Sequence, residues 1–313
     1  MTPKSEYLDL LDGLIYGDIF DCAITLDELW QYARVAIDRD QLSRRLRDDL
    51  VLHRIVVEQN GLYCLHGRTA LFGERLTRIL HARRLQRRAR FVARVLRHLP
   101  FVRGIVLTGS TSADDATEGA DVDFLVIVAA DRIGTVFLLF GLLSRLLGRR
   151  TFCPNWYVNE ESLATAPGNL YIAREFAQAR SLVGNADALR DSNPWIQEVF
   201  PNAIRPPALE PDLKRSPRLQ GLFEAVLRGH FGDRLEHTAQ RVAAARLRIH
   251  YAGFGQEVPR LVAERFQAGS ALGFHGYCHE QRILKAHAAR RVQVSERLEQ
   301  AHADVGSTQR PNR

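Results

Sequence analysis

Two aspartates, Asp121 and Asp123, stand two residues apart at the start of an apolar run, 124–128. An apolar run of this length predicts a buried strand, in which residues i and i+2 project from the same face. Two carboxylates side by side repel each other and resist burial unless a cation lies between them. Because oxygen ligands suit a hard ion, the pair predicts a site for Mg²⁺ or Mn²⁺.

A second polar group comes shortly before the aspartates. The apolar run 105–107 predicts another strand, and Gly109, Ser110 and Thr111 follow it. Glycine lets the backbone approach a ligand closely, and exposed N–H groups at the start of a helix bind anions. Ser110 adds a hydroxyl donor. These three residues are therefore the predicted nucleotide-binding set, and with the aspartates they predict a site for a nucleoside triphosphate and its metal.

This arrangement resembles the nucleotidyltransferase superfamily related to DNA polymerase beta. The match consists of LTGS, a ten-residue spacer over 111–120, and DVDFLVIV. The resemblance implies metal-dependent transfer of a nucleoside monophosphate from a triphosphate to an acceptor hydroxyl, with pyrophosphate leaving. It also implies that Asp121 and Asp123 are the catalytic metal ligands. The acceptor stays open between a small molecule, a protein side chain and a nucleic acid end.

The sequence departs from that superfamily at the next predicted strand, 151–158. In the superfamily this strand usually bears a third carboxylate, but here it reads TFCPNWYV, without Asp or Glu. Asn155 lies nearest to the expected position and Glu160 just beyond the strand, so both are candidates for it. Asn is a neutral ligand and cannot act as a general base. The alternative function is therefore a catalytically degenerate nucleotide- or DNA-binding regulatory protein.

Residues 1–70 predict three helices and a hairpin. The helices are expected over 6–22, after an N-cap at Thr25, and over 38–54, while the Asn60-Gly61 pair marks the hairpin turn. This order resembles the winged helix-turn-helix, whose third helix enters the DNA major groove. A basic connecting helix follows over 71–100. Both parts could contact nucleic acid phosphates through Arg39, Arg44, Arg45, Arg47, Arg54, Arg75, Arg78, Arg83, Arg84, Arg87, Arg88, Arg90, Arg94 and Arg97. The alternatives are a protein-interaction module or substrate-positioning lobe over 1–70 and a solvated connecting helix over 71–100.

The predicted core spans 101–192, with helices over 132–147 and 169–182. Within the second helix, Arg174 and Glu175 are interpreted as a surface ion pair. Six prolines over 193–217 predict a linker, helical patterns over 218–304 predict a small C-terminal bundle, and 305–313 is expected to be a disordered tail. The predicted fold class is thus an α/β (α+β) nucleotidyltransferase core with a mixed sheet, between a winged-helix domain and a C-terminal helical domain.

Composition narrows the functional classes. The 313 residues carry a formal net charge of +7, which favours polyanionic partners or substrates. The four cysteines form no C-x-x-C pair, so a zinc site or a disulfide framework is not expected. The longest apolar segment, 133–143, is too short to span a bilayer, and no signal-peptide core is present. We therefore predict a cytoplasmic protein without a membrane partner.

Overall fold

The computed structural model describes residues 3–148, 152–165, 168–184, 187–206, 209, 217–250, 252–254, 272–273 and 276–308. Residues 3–70 form what we call the N-terminal lobe. Its helices surround a small antiparallel sheet of three strands in the order β1-β3-β2. The elements of the lobe are α1 (Pro3–Leu10), α2 (Asp12–Asp18), β1 (Ile24–Thr25), α3 (Leu26–Gln31), α4 (Arg39–Asp48), α5 (Leu50–Ile55), β2 (Val56–Gln59) and β3 (Leu62–Leu65).

Local signals in the lobe are largely confirmed, but two predicted helices are each broken in two. Thr25 caps α3 with Glu28 in a capping box, and the hairpin turns at Asn60 and Gly61, where φ is 55° and 77°. The predicted helix over 6–22 breaks at Leu11, whose backbone angles are not helical, and ends at 18. The helix over 38–54 breaks at Asp49, because its carboxylate accepts hydrogen bonds from the first turn of α5. The assignment of this lobe as a winged helix stays a prediction.

The long helix α6 (Leu71–Leu96) connects the lobe to the second part of the chain, as predicted. One side of this helix is buried against the core, through residues such as Ala89 and Val92. The opposite side leaves arginines in solvent, together with Leu76 and Phe91. The helix therefore serves as a structural layer of the core and at the same time presents a basic outer face.

A five-stranded mixed sheet in the order β7-β4-β5-β6-β8 forms the centre of the chain. The central strand β5 runs parallel to β6 and antiparallel to β4. The two apolar runs of the sequence are thus strands, as predicted. The strands of this sheet are β4 (Val102–Thr108), β5 (Asp123–Val128), β6 (Cys153–Asn159), β7 (Arg180–Val183) and β8 (Leu272–Gly273).

Alternating side chains of the sheet face two helical layers. Phe124 and Val126 pack on the side that holds α6, whereas Leu125 and Ile127 pack on the other side. Because both faces are covered, the strands read as continuous apolar runs rather than alternating ones. The helices of this part are α7 (Gly109–Ser112), α8 (Ile133–Leu147), α9 (Leu170–Ala177), α10 (Asp187–Asp191) and α11 (Trp195–Val199).

The predicted helix over 169–182 is wrong in its second half. Helix α9 ends at Ala177, and 180–183 form β7, which pairs with β4. The apolar Leu182 and Val183 are buried at the sheet edge. Pairing with β4 satisfies their backbone groups there, so tertiary context overrides the helical pattern of the sequence.

The helices predicted to form a C-terminal bundle pack instead on the two preceding parts. Among the described residues they are α12 (Pro217–Val226), α13 (His230–His250) and α14 (Gly276–Thr308), with a short 3-10 helix over 252–254. The helical pattern over 258–266 lies outside the described residues. Ala243 and Leu247 of α13 belong to the core that includes α6 and α8. Val294 and Leu298 of α14 belong to the interior of the N-terminal lobe. Apolar residues of α13 and α14 are therefore buried against earlier parts of the chain, whereas Leu222, Phe223 and Val226 of α12 are exposed.

Two further segment predictions change. Within the predicted linker over 193–217, Trp195, Ile196 and Phe200 are buried in the core, and the Asn202 side chain bonds to the N-terminal lobe through the carbonyls of Trp30 and Val35. These contacts anchor the first half of the segment, while 207–208 and 210–216 lie outside the described residues. The predicted disordered tail begins within α14, which continues to Thr308, and 309–313 lie outside the described residues.

Candidate active site

Gly109 marks the point where the chain leaves β4. Its φ is +68°, a conformation that residues with a side chain rarely adopt. A Cβ added at this position would lie 2.6 Å from Oδ2 of Asp123. Only glycine therefore lets the loop pass this close to the carboxylate. The sequence predicted a close backbone approach to a ligand here, which stays a prediction; the approach that the structure shows is to Asp123.

Asp121 and Asp123 come together at the opening end of β5. Both are half-buried. In the parallel register Cys153 is paired with Asp123, and ligand atoms of these two residues and Asp121 all lie within 4.8 Å of one another. Two carboxylates so close in a partly buried position call for a positive charge between them. Their separation is compatible with a single ion.

The two candidates for the third position lie at opposite ends of β6. Asn155 is buried and is the extra residue at an irregularity of the β5–β6 register, on the same side of the molecule as the aspartates. Glu160 follows the other end of the strand, where its N–H donates to the carbonyl of Val128 and its carboxylate accepts from Arg103 at 3.2 Å. Along the extended strand Glu160 lies five residues, or roughly 17 Å, beyond Asn155. Asn155 therefore lies at the site, and Glu160 does not.

The aspartates open into a cavity of about 410 Å³. The core lines one side of it with Gly109, Ser110 and Asn155 as well as the aspartates. The other side is formed by three different parts of the chain, which are the N-terminal lobe, α6 and α14. A cavity of this size suits one small ligand or cofactor. The site thus lies in a cleft between the core and the lobe.

Comparison with known proteins agrees with this geometry. Residues 88–164 match the family model of the nucleotidyltransferase domain. The matched range extends from the second half of α6 to the loop after β6, so it contains Gly109, Asp121 and Asp123. It supports the nucleotidyltransferase superfamily for this part of the chain. No curated protein and no solved structure matches the chain, and no described helix is both long and apolar enough to cross a membrane.

Nucleotidyltransferase domains generally use divalent metal ions, and the residues of this site fit such an ion. Burial, together with the negative charges of Asp121 and Glu175, raises the pKa of Asp123 to about 8. An ion between the aspartates would remove this repulsion. Two carboxylates and the Asn155 amide are oxygen donors, which suit Mg²⁺ or Mn²⁺. The Cys153 thiol, which is hydrogen-bonded to Asp123, is a softer group that Mg²⁺ does not favour.

Glu175 is the acidic residue that sequence reasoning missed. It lies on α9, is buried, and accepts a hydrogen bond of 3.1 Å from the backbone N–H of Gly109. The Gln178 amide donates to its other oxygen. Burial raises the pKa of Glu175 to about 7, although the Gly109 N–H and the charge of Arg174 oppose this rise. The candidate site thus contains a buried carboxylate beside Gly109 that comes from a helix rather than from β6.

The interpretation of Arg174 and Glu175 as a surface pair is wrong, because both are buried. The Arg174 guanidinium lies over the ring of Tyr32, with its central carbon 3.1 Å from the ring centre, and at 5.3 Å from that of Tyr16. The sequence did contain a signal for this buried polar face, namely a helical spacing of polar residues. Tyr171, Arg174, Glu175 and Gln178 follow an i, i+3, i+4, i+7 pattern, which places them on one face of α9.

Ser110 and Thr111 have different environments. Ser110 is exposed and lines the cavity. Thr111 is buried, and its hydroxyl donates a hydrogen bond of 3.2 Å to the carbonyl of Asp121. Thr111 therefore holds the loop that carries the aspartates, whereas Gly109 and Ser110 are the members of the predicted nucleotide-binding set that line the cavity.

Proposed function

We propose that this protein is a metal-dependent nucleotidyltransferase that transfers a nucleoside monophosphate from a nucleoside triphosphate to an acceptor hydroxyl. The observation that carries the proposal is the approach of Gly109 to Asp123, with Asp121 alongside, inside a cavity and within the range that matches the family model. A glycine turn and two carboxylates in one cavity are what a metal-bound phosphate chain requires.

Each residue has a definite part in this proposal. Asp121 and Asp123 would hold Mg²⁺ or Mn²⁺, with Asn155 as a neutral neighbour. When bound, the ion neutralises the phosphate charges and so favours attack at phosphorus. Gly109 and Ser110 would bind phosphate oxygens. The acceptor hydroxyl gives up its proton to solvent water as its oxygen forms a bond to the α-phosphorus, and the bond from the α-phosphorus to the β-phosphate oxygen breaks, so that pyrophosphate leaves with the electron pair. Catalysis comes mainly from alignment and charge neutralisation.

The test is pyrophosphate release by the full chain. Each nucleoside triphosphate is supplied with Mg²⁺ or Mn²⁺ and with mixtures of candidate acceptors, which are hydroxylated small molecules, proteins and nucleic acid ends. Asp121→Asn and Asp123→Asn should abolish turnover. Asp131→Asn is the matched control, because Asp131 is exposed and its positive φ is one that Asn adopts readily. Equal turnover in all variants would exclude this site as the catalytic centre.

The second candidate function is a regulatory protein that binds nucleotide or DNA without turnover. The observation that favours it is the neutral Asn155 on the strand where the family usually has an acid. Two arginines of α4 are already ion-paired, Arg39 with Asp27 and Arg45 with Glu6. This pairing argues against a role of α4 in binding DNA. Metal-dependent nucleotide binding without pyrophosphate release, or salt-dependent binding to duplex DNA, would favour this second function.

A further inference from the structure

The part of the cavity that the N-terminal lobe lines carries two aromatic rings. Tyr16 of α2 and Phe20, which follows that helix, line it with their ring centres 5.3 Å apart, and Ile24 of β1 lies beside them. All three belong to the N-terminal lobe. They lie outside the range that matches the family model, 88–164, so neither the match nor the sequence motif accounts for them. We call these three residues the aromatic wall.

We propose that the aromatic wall binds the nucleoside part of the triphosphate, so that the N-terminal lobe recognises nucleotide rather than DNA. The inference rests on the proposed function. If the phosphates lie at Gly109 and Asp123, the nucleoside must occupy the remainder of the same cavity, and the aromatic wall bounds that remainder. Bases stack on aromatic side chains, and the ribose edge tolerates apolar neighbours. A cavity of about 410 Å³ suits one such ligand.

Arg174 connects the two ends of the cavity. Its guanidinium contacts Tyr16 of the wall, and the next residue, Glu175, bonds to Gly109 at the phosphate end. Arg174 is only 7% exposed, and its Nη1 has no hydrogen-bond partner among the residues that the structure describes. The positive charge of this buried guanidinium favours an anionic ligand in the cavity.

The wall is held in a fixed position relative to the phosphate end. Arg78 of α6 donates to the Phe20 carbonyl at 3.0 Å and to the Asp115 carboxylate at 2.9 Å. Asp115 belongs to the loop between Gly109 and the aspartates, and its N–H donates to the Ser110 carbonyl. One arginine therefore ties the lobe to the loop that carries the phosphate-binding residues. Such a preformed cleft needs little reorganisation to bind a small ligand.

The experiment separates the nucleoside from the phosphates. Binding of each nucleoside triphosphate and of inorganic tripolyphosphate to the full chain is measured calorimetrically with Mn²⁺. Phe20→Ala removes the ring, and Phe20→Leu keeps most of the apolar volume without an aromatic face. Both should weaken nucleoside triphosphate binding, by about tenfold for the loss of one stacking contact, and leave tripolyphosphate binding unchanged. Phe91→Ala is the matched control, because Phe91 is exposed on α6.

Three results would overturn the proposal. Unchanged triphosphate affinity in both Phe20 variants, each folded by its melting temperature, would exclude the wall from nucleotide binding. Unchanged nucleotide affinity with a raised KM for the acceptor would assign the wall to the acceptor. If the wild-type protein binds neither tripolyphosphate nor any nucleotide, the proposed function fails and the wall proposal fails with it. A further outcome separates the two proposals. If Asp123→Asn abolishes tripolyphosphate binding but neither Phe20 variant changes nucleotide affinity, the proposed function is supported and the wall proposal fails.

Discussion

The backbone N–H of Gly109 donates a hydrogen bond of 3.1 Å to the carboxylate of Glu175. This N–H is also the group that the proposed function assigns to a phosphate oxygen. A triphosphate and Glu175 would therefore compete for one donor, and both are negatively charged. Glu175 is thus placed to oppose nucleotide binding electrostatically while it supplies an acid to the site.

The first prediction concerns this opposition. Glu175→Gln removes a negative charge next to the phosphates but keeps a hydrogen-bond acceptor for Gly109. We expect the KM for nucleotide to stay the same or fall, because repulsion decreases, and kcat to fall by about 10- to 100-fold, because a site acid is lost. Steady-state pyrophosphate release gives both constants. Glu198→Gln, at an exposed position of α11, is the control, and a variant that changes neither constant would exclude a role for Glu175.

The second prediction tests the close approach of Gly109 to Asp123. In Gly109→Ala the added Cβ would lie 2.6 Å from the Asp123 carboxylate. The alanine backbone would also have to adopt a φ of +68°. The strained backbone should cost about 1–2 kcal/mol of unfolding free energy, and displacement of the carboxylate should abolish metal-dependent turnover. Thermal unfolding and turnover are measured together.

Gly119→Ala provides the matched control for this substitution. Gly119 has a φ of +84°, but an added Cβ would meet no atom within 4 Å. It should therefore show the same backbone cost without the loss of turnover. If both variants lost turnover equally, backbone strain rather than the contact with Asp123 would be responsible.

The third prediction concerns pH. Asp123 and Glu175 have pKa values of about 8 and about 7 in the folded chain, above those of free carboxylic acids. Between the unfolded and folded values the folded chain holds more protons, so the free energy of unfolding of the metal-free protein falls as pH rises from about 5 to 8. Metal ligands must be deprotonated, so Mn²⁺ affinity should rise over the same range and binding should release protons.

Melting curves with EDTA and with Mn²⁺ test this dependence. The gap between the two melting temperatures should widen from pH 5 to pH 8. Asp123→Asn should narrow this gap and should reduce the pH dependence of the melting temperature in EDTA. A gap that does not depend on pH would show that the ion does not bind these carboxylates. Asp131→Asn, which leaves the site intact, should behave as the wild-type protein does.

The elements around the motif could be predicted because their signals are local. The apolar runs of β4 and β5, the capping box at Thr25 and the turn at Asn60 each depend on neighbours in the chain, and each forms as expected. Glu175 could not be recognised in the same way. Its importance comes from a hydrogen bond to Gly109, 66 residues earlier, and such pairing depends on how α9 packs against the sheet.

The packing of the C-terminal helices shows the same limit. The periodic stripe of α14 indicates one apolar face but not its partner. That partner is the N-terminal lobe, to which α14 is joined by Arg291, whose guanidinium bonds to the carboxylates of Asp9 and Asp12. Asp12 is fully buried, and its charge is compensated by this distant arginine, while Nε2 of His287 lies 3.2 Å from its Oδ1. Charge pairing over such a separation leaves no periodic signal in the sequence.

The fourth prediction tests this connection. Arg291→Met keeps the length and apolar character of the side chain but leaves the buried Asp12 carboxylate poorly compensated. We expect a loss of about 3 kcal/mol of unfolding free energy, as for other buried pairs that lose one partner. Chemical denaturation measures it. Arg297→Met is the control on the same helix, because Arg297 is exposed and bonds only to the His66 carbonyl among the described contacts. A loss equal to that of the control would show that the ion pair does not hold α14.

The last prediction restores the acid that β6 lacks. Asn155 is buried beside the aspartates at an irregularity of the register, so Asn155→Asp adds a carboxylate where the family usually carries one. A further anionic ligand should raise Mn²⁺ affinity by about tenfold. Without metal, the added repulsion should lower the melting temperature. Asn159→Asp, at the opposite end of β6, makes the same chemical change away from the site and should alter neither. Unchanged Mn²⁺ affinity in Asn155→Asp would show that position 155 does not reach the ion.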